Sequence, residues 1–405
     1  MARTRRSALY VAAESTYGTD PDSDGSSYTF VPTLGTIGLL KDGRELLETK
    51  YFLGRNFPTT PIQGRDGWSL DFEVPITGLS VRAGEGTNAS TVAADYLDVL
   101  FAHMFTAVTT TIGTGVATNT TTAITTDADS FIAQDLIPLF ETNNPAAATQ
   151  RTSWELVTVR VGASSYTITN WADHVNFTAA GTIFGTKMYQ PSDAGGASLA
   201  FAYVQDDLVY TLLGGRITSA VITGEVGQLI KMKISASGDT KIDDTTAKTG
   251  NLISGSGAVV PNRSPCVTLR SPVRFGTTTY PTRKIEIDLG LVTAVQESSG
   301  AANGRANYES ISVNPKITIE PLYSDANLNL KRDVTTGRLL VQMGSGVLSG
   351  TIANTAAIHA EVANVMEADA TDDQGRLRQQ IVFQVVDGGI FTGSTVSRHF
   401  QFVRA

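Results

Sequence analysis

Paired carboxylates on a single strand are the residues of this sequence that come nearest to catalytic chemistry. Asp71 and Glu73 alternate with Leu70 and Phe72, and residues two apart on a strand lie on the same face. Two carboxylates on one face could serve as the acid and the base of a hydrolase. The sequence identifies no partner for them across such a site, and a solvated or channel-lining strand face accounts for the same pattern. The chain is therefore predicted not to be an enzyme.

Residue types that bind metals or form covalent intermediates are too scattered to make a site. Cys266 is the only cysteine, which excludes an internal disulfide and a Cys-based zinc site. The four histidines lack a metal-ligand spacing: His103, His174, His359 and His399. An acidic cluster lacks the turn glycine of a calcium loop and is interpreted as a solvated loop: Glu367, Asp369, Asp372 and Asp373. We predict no catalytic residue, no metal and no cofactor.

The composition indicates a mainly β protein without a nucleic-acid clamp. A length of 405 residues exceeds one ordinary core, so two or three domains are expected. Only 17% of the residues are charged, and the net charge of −8 leaves no broad cationic surface for binding phosphates. The sequence has neither a secretion signal nor a run of about 18 apolar residues. We therefore expect a chain made in the cytosol, without a membrane span.

Alternation places polar side chains on one face of several predicted strands. In the clearest strand, Trp68, Leu70, Phe72 and Val74 form the apolar face. Similar alternation occurs at residues 230–235 and 284–289. The polar faces of these strands are formed by Ser69, Asp71, Glu73, Lys231, Lys233, Lys284, Glu286 and Asp288.

Two helices are predicted, each between two strand pairs. The first spans about residues 91–105 and is capped by Ser90. The second spans about residues 355–367, where apolar side chains occur at i, i+4, i+7 and i+8: Ile358, Val362, Val365 and Met366. The order strand pair, helix, strand pair thus appears twice, which predicts an internal duplication.

The domain organisation follows from this order. Residues 1–50 are predicted to be an extended arm whose aromatic rings dock on another surface: Tyr10, Tyr17, Tyr28 and Phe30. The first domain combines residues 51–105 and 206–245, and residues 106–205 form an inserted β-rich subdomain. Residues 246–262 are a linker, and residues 263–405 are the second domain.

Three segments resemble the major tail tube proteins of long-tailed, siphovirus-like bacteriophages. Residues 13–21 read AESTYGTDP, which is similar to the opening common in that family. Residues 64–74 read GRDGWSLDFEV, and residues 215–227 read GRITSAVITGEVG. The resemblance covers most of the chain outside the insertion, although its motifs are diffuse.

The resemblance implies two tandem tail-tube-type folds, each a β-sandwich or half-barrel with a flanking α-helix. It implies subunits that form rings, stack into a hollow tube for phage DNA, and contact other tail proteins. A chain with two folds would form a trimeric, pseudo-sixfold ring, with a hexamer as the alternative. The polar strand faces would line the lumen or the outer wall, and the aromatic residues of the arm would join successive rings.

The insertion is expected on the tube exterior, because about 100 extra residues would close the lumen. A bulky exterior would obstruct a sheath, so the tail is predicted to be non-contractile. The protein would belong to the virion and assemble in the host cytoplasm. Three other interpretations remain open at this point, namely a capsid or head-decoration protein, a host-binding tail adhesin, and a secreted β-rich hydrolase.

Overall fold

The computed structural model of the protein describes residues from 7 to 404 with several gaps. The described residues are 7–22, 25–35, 37–38, 41–42, 46–47, 62–63, 67–78, 95–110, 116–119, 123–126, 136–140, 152–161, 165–168, 182–183, 186–191, 197–205, 208–244, 252, 265–268, 271–299, 305–332, 335–344, 355–373, 376–386 and 400–404. His174, His399, Ser90 and most of the predicted linker lie outside them.

Strands dominate the described residues. In the first part of the chain they are β1 (Ser7–Ala13), β2 (Thr29–Val31), β3 (Lys41–Asp42), β4 (Leu46–Leu47), β5 (Ile62–Gln63), β6 (Trp68–Pro75), β7 (Thr106–Thr110), β8 (Val116–Asn119), β9 (Ala123–Thr126), β10 (Leu136–Phe140), β11 (Thr152–Arg160), β12 (Ser165–Ile168), β13 (Thr182–Ile183), β14 (Thr186–Gln190), β15 (Leu199–Gln205), β16 (Leu208–Glu225), β17 (Lys231–Gly238) and β18 (Thr240–Asp244).

The second part of the chain continues in the same way. Its strands are β19 (Val273–Phe275), β20 (Thr278–Tyr280), β21 (Thr282–Asp288), β22 (Leu291–Glu297), β23 (Arg305–Val313), β24 (Lys316–Pro321), β25 (Thr336–Met343), β26 (Ala356–Asp373), β27 (Arg376–Val385) and β28 (Phe400–Arg404). Two α-helices are present in the described part of the chain, α1 (Tyr96–Met104) and α2 (Asp325–Arg332). The prediction of a mainly β protein is confirmed.

One antiparallel sheet of 18 strands contains most of the fold, and it does not close on itself. A separate sheet of six strands has the order β13-β10-β11-β12-β9-β8, and two ribbons are formed by β4 with β5 and by β22 with β23. The large sheet folds over a core, since the rings of Trp68 and Phe72 on β6 contact Phe201 on β15 at centroid distances of 5.8 and 5.9 Å.

The large sheet contains the same arrangement of eight strands twice. Unit one, within residues 7–244, consists of β1, β2, β3, β6, β15, β16, β17 and β18. Unit two, within residues 273–404, consists of β19, β20, β21, β24, β25, β26, β27 and β28. Each pairing in unit one has its counterpart in unit two, from β1 with β2 and β19 with β20 to β16 with β18 and β26 with β28. Each unit also has its helix between the fourth and fifth strands, α1 in one and α2 in the other.

The long strands β16 and β26 show how closely the units correspond. Both have 18 residues. Each contains a first β-bulge, in which two residues face one residue of the neighbouring strand. The two residues are 213–214 in β16, opposite β15, and 361–362 in β26, opposite β25. A second bulge adds one residue further along, Thr218 in β16 and Met366 in β26. Both bulges lie at the same positions counted from the start of the strand, so the repeat is one of register as well as of order.

The two units are joined strand to strand. The second half of β16, from unit one, pairs antiparallel with β21, from unit two, with Val221 opposite Asp288 and Glu225 opposite Lys284. β21 also pairs with β24 of its own unit. One sheet layer therefore runs without a break through both units, in the order β3, β6, β17, β16, β21, β24, β27, β26.

The second predicted helix is wrong, because residues 356–373 form strand β26. Its two bulges disturb the usual alternation, and the core residues follow spacings of two and three: Ile358, Ala360, Ala363, Val365 and Ala368. Such spacings resemble helical periodicity. The acidic cluster Glu367 to Asp373 accordingly lies in a strand rather than in a loop after a helix.

The first helix exists, but it begins later than predicted. Asp95 is its N-cap. The Asp95 side chain accepts a hydrogen bond from the Asp98 backbone N–H, and the Asp98 carboxylate accepts one from the Asp95 backbone N–H, which together form a capping box. Tyr96, Leu97 and Phe101 are fully buried. The predicted cap, Ser90, lies outside the described residues, and the capping box assigns that role to Asp95.

Residues 1–50 do not form an arm in the part that the structure describes. β1 pairs on one side with β15 and on the other with β2, so it lies inside the sheet. Leu9 and Val11 are fully buried in the main core. β1 and β2 belong to unit one, because β19 and β20 occupy the same places in unit two. The arm was predicted because turn-forming residues surround two short strands, so that no sustained alternation is visible. β1 is recognised as a strand of the sheet only by its pairing with β15, about 190 residues away.

The stretch between α1 and β15 has no counterpart in unit two, where α2 ends at Arg332 and β25 begins at Thr336. It contains the six-stranded sheet and the strands β7 and β14, which extend the large sheet beside β28. β15 belongs to the repeated unit, so the predicted insertion, residues 106–205, extends too far at its C-terminal end. Leu136, Trp154 and Leu156 of the six-stranded sheet pack on Leu340, Ala357 and Val403 of unit two.

Candidate functional site

All eight polar strand residues predicted from the sequence lie on one face of the continuous sheet layer. Register places Ser69, Asp71 and Glu73 of β6 opposite residues 237, 235 and 233 of β17. Lys231 and Lys233 lie beside Thr223 and Val221 of β16, which in turn face Glu286 and Asp288 of β21. The opposite face is the core, with side chains such as Phe72, Ile234 and Ile287. Tertiary pairing thus assembles these residues into one surface, which we call the polar face.

Ion pairs and hydrogen bonds cross the polar face. Lys231 Nζ lies 2.8 Å from Glu73 Oε2, and Arg283 Nη2 lies 3.2 Å from Glu225 Oε1. Lys284 Nζ lies 3.1 Å from Glu286 Oε2. These pairs are half-exposed, so each contributes at most about 1 kcal/mol. Their main effect is on the surface potential.

The charges of the polar face are of both signs. The eight predicted residues comprise four acids and three lysines, and Lys316 of β24 lies opposite Asp288 as a further cation. Ser235 Oγ donates a hydrogen bond of 2.6 Å to Asp71 Oδ1. On the same face of the layer, Glu225 of β16 and the exposed Glu367 and Asp369 of β26 add negative charge, so this surface does not attract a polyanion.

The aromatic residues assigned to an arm pack inside the same chain instead. Tyr10 and Tyr28 are each 4% exposed and belong to an apolar cluster on the outer side of unit one, around Leu252. Tyr10 donates a 2.7 Å hydrogen bond to the Leu252 carbonyl, and its ring meets Phe30 at 5.6 Å. The Tyr17 hydroxyl donates to Asp239. Because they are buried, Tyr10 and Tyr28 have almost no surface with which to contact a neighbouring ring of a tube.

A buried carboxylate, which the sequence did not reveal, fixes the segment after β1. Glu14 is 3% exposed and accepts hydrogen bonds from the backbone N–H groups of Gly18 and Gly214, at 2.9 and 2.8 Å, and from the Ser198 hydroxyl. Burial raises the pKa of Glu14, although these donors oppose the shift. Only the fold brings its three partners together, because two of them lie about 200 residues away.

Arg404, at the end of β28, is a charged side chain that is fully buried. Its guanidinium bonds Asp95 Oδ2 at 2.5 Å, Asp98 Oδ1 at 2.8 Å and the Thr77 carbonyl at 2.9 Å. Burial alone would lower the pKa of Arg404, but Asp95 and Asp98 reverse that effect and hold it above its ordinary value. Unit two is thereby tied to the first turn of α1 in unit one.

A cavity of about 330 Å³ lies beside this cluster, lined by Asp98, His103, Lys187 and Tyr189 among others. Lys187 Nζ lies 2.6 Å from Asp98 Oδ2, and the Tyr189 hydroxyl donates to Oδ1 of the same carboxylate. Burial, together with Arg216, lowers the pKa of His103 to about 3, so His103 is neutral at pH 7. The polar groups of the cavity wall are committed to one another, and we assign them a structural role.

His359, the other histidine that the structure describes, lies in β26 and is fully buried. Neither ring nitrogen has a hydrogen-bond partner among the described residues. Burial, with a contribution from Arg338, lowers its pKa to about 3. Within the described ranges, no three side chains of His, Cys, Asp or Glu are grouped so that they could hold a metal ion.

Neither helix in the described part of the chain has the length and apolar character that crossing a bilayer requires. Comparison of the chain with known protein families and with curated proteins finds no match.

Proposed function

We propose that this protein is a structural virion protein of the siphovirus-like tail tube type, which self-assembles into stacked rings around a channel for phage DNA. The observation that carries the proposal is the duplicated unit, whose two copies pair edge to edge through β16 and β21. Among the described strands, each unit joins its copy by one edge and has no partner strand at the other, an arrangement that is suited to a closed ring.

The number of strands supports a trimeric, pseudo-sixfold ring. Each chain supplies eight strand positions to the continuous layer, so three chains would close a barrel of 24 strands. Strands about 4.8 Å apart and tilted by about 40° give a circumference of roughly 150 Å, and hence a backbone diameter of roughly 48 Å. Such a barrel is wide enough to pass a DNA duplex. A hexamer is the alternative ring size.

We assign the polar face to the lumen. The opposite face of the layer is the core, so the polar face is the one that a closed barrel leaves in contact with solvent. Its paired charges offer no cationic surface to phosphates, and DNA could pass without being held.

The six-stranded sheet is assigned to the exterior. It packs on the first half of β26, ahead of the bulges, whereas the second half of β26 belongs to the continuous layer that contains the polar face. Bulges bend a strand, which allows the two halves to point in different directions. An exterior of this bulk would obstruct a sheath, so the tail is non-contractile. The protein would assemble in the host cytoplasm, and other tail proteins would be its partners at the ends of the tube.

Electron microscopy of the purified protein tests this function. We expect hollow, regularly striated tubes or isolated rings in negative stain, because the open sheet edges can be satisfied by further copies. Closed shells would indicate a head protein instead. Particles that stay monomeric at high concentration, or that bind glycans as monomers, would contradict the tube and favour an adhesin.

A further inference from the structure

The two ends of the continuous sheet layer are both open in the described part of the chain. At one end, the second half of β26 pairs with β27, and beyond Asn364 no described strand pairs with its other edge. At the other end, β3 pairs only with β6 among the described residues. Open edges present unpaired backbone N–H and C=O groups, which are a template for pairing with another chain.

The internal junction shows what such an edge binds. β26 is the counterpart of β16, and in unit one the same edge is occupied by β21. β21 itself is the counterpart of β3, since β21 pairs with β24 as β3 pairs with β6. We therefore propose that the open edge of β26 binds the β3 segment of a second copy of this chain, antiparallel, in the register of the junction between β16 and β21. This inference rests on the proposed function and specifies its ring contact.

The register follows from counting along the matched strands. Val221 lies four residues after Ile217, which precedes the second bulge of β16, and Asp369 lies four residues after Val365, which precedes the second bulge of β26. Val221 therefore corresponds to Asp369.

The partner position is found in the same way. Asp288 pairs with Lys316, and Lys41 pairs with Ser69. Lys316 lies three residues before Ile319, which pairs with Ile381 of β27. Ser69 lies three residues before Phe72, which pairs with Ile234 of β17, the counterpart of Ile381. Asp288 therefore corresponds to Lys41. Because Val221 faces Asp288 inside the chain, Asp369 should face Lys41 of the neighbouring copy.

Charge and burial agree with this register. Asp369 and Lys41 carry opposite charges, and opposite charges at directly facing positions favour pairing. Within the chain Asp369 Oδ1 lies 4.0 Å from Lys331 Nζ of α2, but both side chains of this pair are more than half exposed, so it contributes little and can be exchanged for Lys41. At the internal junction Ile222 is 1% exposed and faces Ile287, whereas its counterpart at the open edge, Ala370, is exposed. The same layer that is covered within the chain is thus uncovered where we place the second copy.

A disulfide across the interface tests the register. Facing positions on antiparallel strands have Cβ atoms roughly 4.5–5.5 Å apart, whereas diagonal neighbours are roughly 7–8 Å apart, too far for a disulfide. The variant Lys41→Cys/Asp369→Cys, oxidised under assembly conditions, should shift from one chain of 42.9 kDa to two-chain and three-chain products on a non-reducing gel. The peptide joining positions 41 and 369 should be found by mass spectrometry.

Two matched controls calibrate the result. Val221→Cys/Asp288→Cys places the same pair at the internal junction and should close a disulfide within one chain. Lys41→Cys/Glu367→Cys is two residues out of register and should give no interchain product. Cys266 is buried and present in every variant, so it contributes equally to the background.

The outcomes separate this inference from the proposed function. Tubes or rings without the 41 to 369 disulfide, when the internal control closes, would overturn the register and leave the tube function standing. The disulfide in open chains or fibres, without tubes, would uphold the strand contact and overturn the tube. Monomers with no interchain product would overturn both.

Discussion

At the residue scale, most buried polar groups in this fold have partners, and His359 is an exception. Its imidazole is fully buried in β26 without a hydrogen bond among the described residues, and Glu361 Oε2 lies 3.7 Å from Nε2. A buried polar group without a partner costs about 1–3 kcal/mol. The corresponding position of unit one, counted along the matched strands, is Thr211, a smaller buried residue.

Replacing His359 by Leu should therefore stabilise the protein. At pH 7 we expect the free energy of unfolding, measured by urea denaturation, to rise by about 1–3 kcal/mol. His103→Leu is the control, because His103 Nδ1 lies 2.5 Å from the Ala197 carbonyl, and losing that contact should destabilise. A lower stability for His359→Leu would mean that the imidazole has a favourable role.

The pH dependence has a defined sign. The pKa of His359 is about 3 in the folded chain and near 6.5 when unfolded, so between these values the unfolded state binds one more proton. As far as His359 is concerned, the free energy of unfolding is highest above pH 6.5. It falls by about 1.4 kcal/mol per pH unit as the pH drops towards 3. In His359→Leu that part of the slope should vanish between pH 6.5 and 5.

At the element scale, Arg404 connects α1 to β28 and so connects unit one to unit two. Its guanidinium pairs with both capping carboxylates, Asp95 and Asp98, which are 5% and 7% exposed, and Lys187 pairs with Asp98 as well. The helix N-terminus favours these acids, but their burial needs the cation.

Arg404→Met should lower the free energy of unfolding by about 3–5 kcal/mol, because it removes the buried cation beside Asp95 and one of the two cations beside Asp98, where Lys187 remains. The control is Lys231→Met, which breaks a half-exposed pair with Glu73 on the polar face and should cost about 1 kcal/mol or less. Urea denaturation of both variants gives the comparison. Equal losses would show that Arg404 contributes no more than an exposed ion pair.

At the scale of the whole molecule, the duplication determines how many chains a ring needs. Six units arranged as in the internal junction correspond to three chains, provided that the junction between chains has the same geometry as the one within the chain. The heterologous contact then closes instead of growing into an open filament.

Native mass measurement of dissociated rings tests this number. Three chains of 42.9 kDa give a ring of about 129 kDa, and six chains give about 257 kDa. We expect the smaller mass. The larger one would mean that a ring contains twelve units instead of six, which would contradict the trimer even if tubes form.

The mainly β class and the residues of the polar face were predictable from the sequence, because alternation is a local pattern and shows the two faces of each strand separately. It also indicated a duplicated layout, although the second helix used for that layout was wrong. Bulges at residues 361–362 and 366 gave β26 the spacing of a helix, and only its pairing with β25 and β27 distinguishes the two.

Tertiary structure alone decided the rest, since it depends on contacts between residues far apart in the chain. The place of β1 in the sheet, the Arg404 cluster and the junction of β16 with β21 each join segments tens to hundreds of residues apart. Local patterns carry no information about such partners, because strands pair through backbone N–H and C=O groups, which are the same whatever the side chains are. An open edge can be identified only when the strands that pair with the other edges are known, so the proposed contact between chains also depends on the tertiary structure.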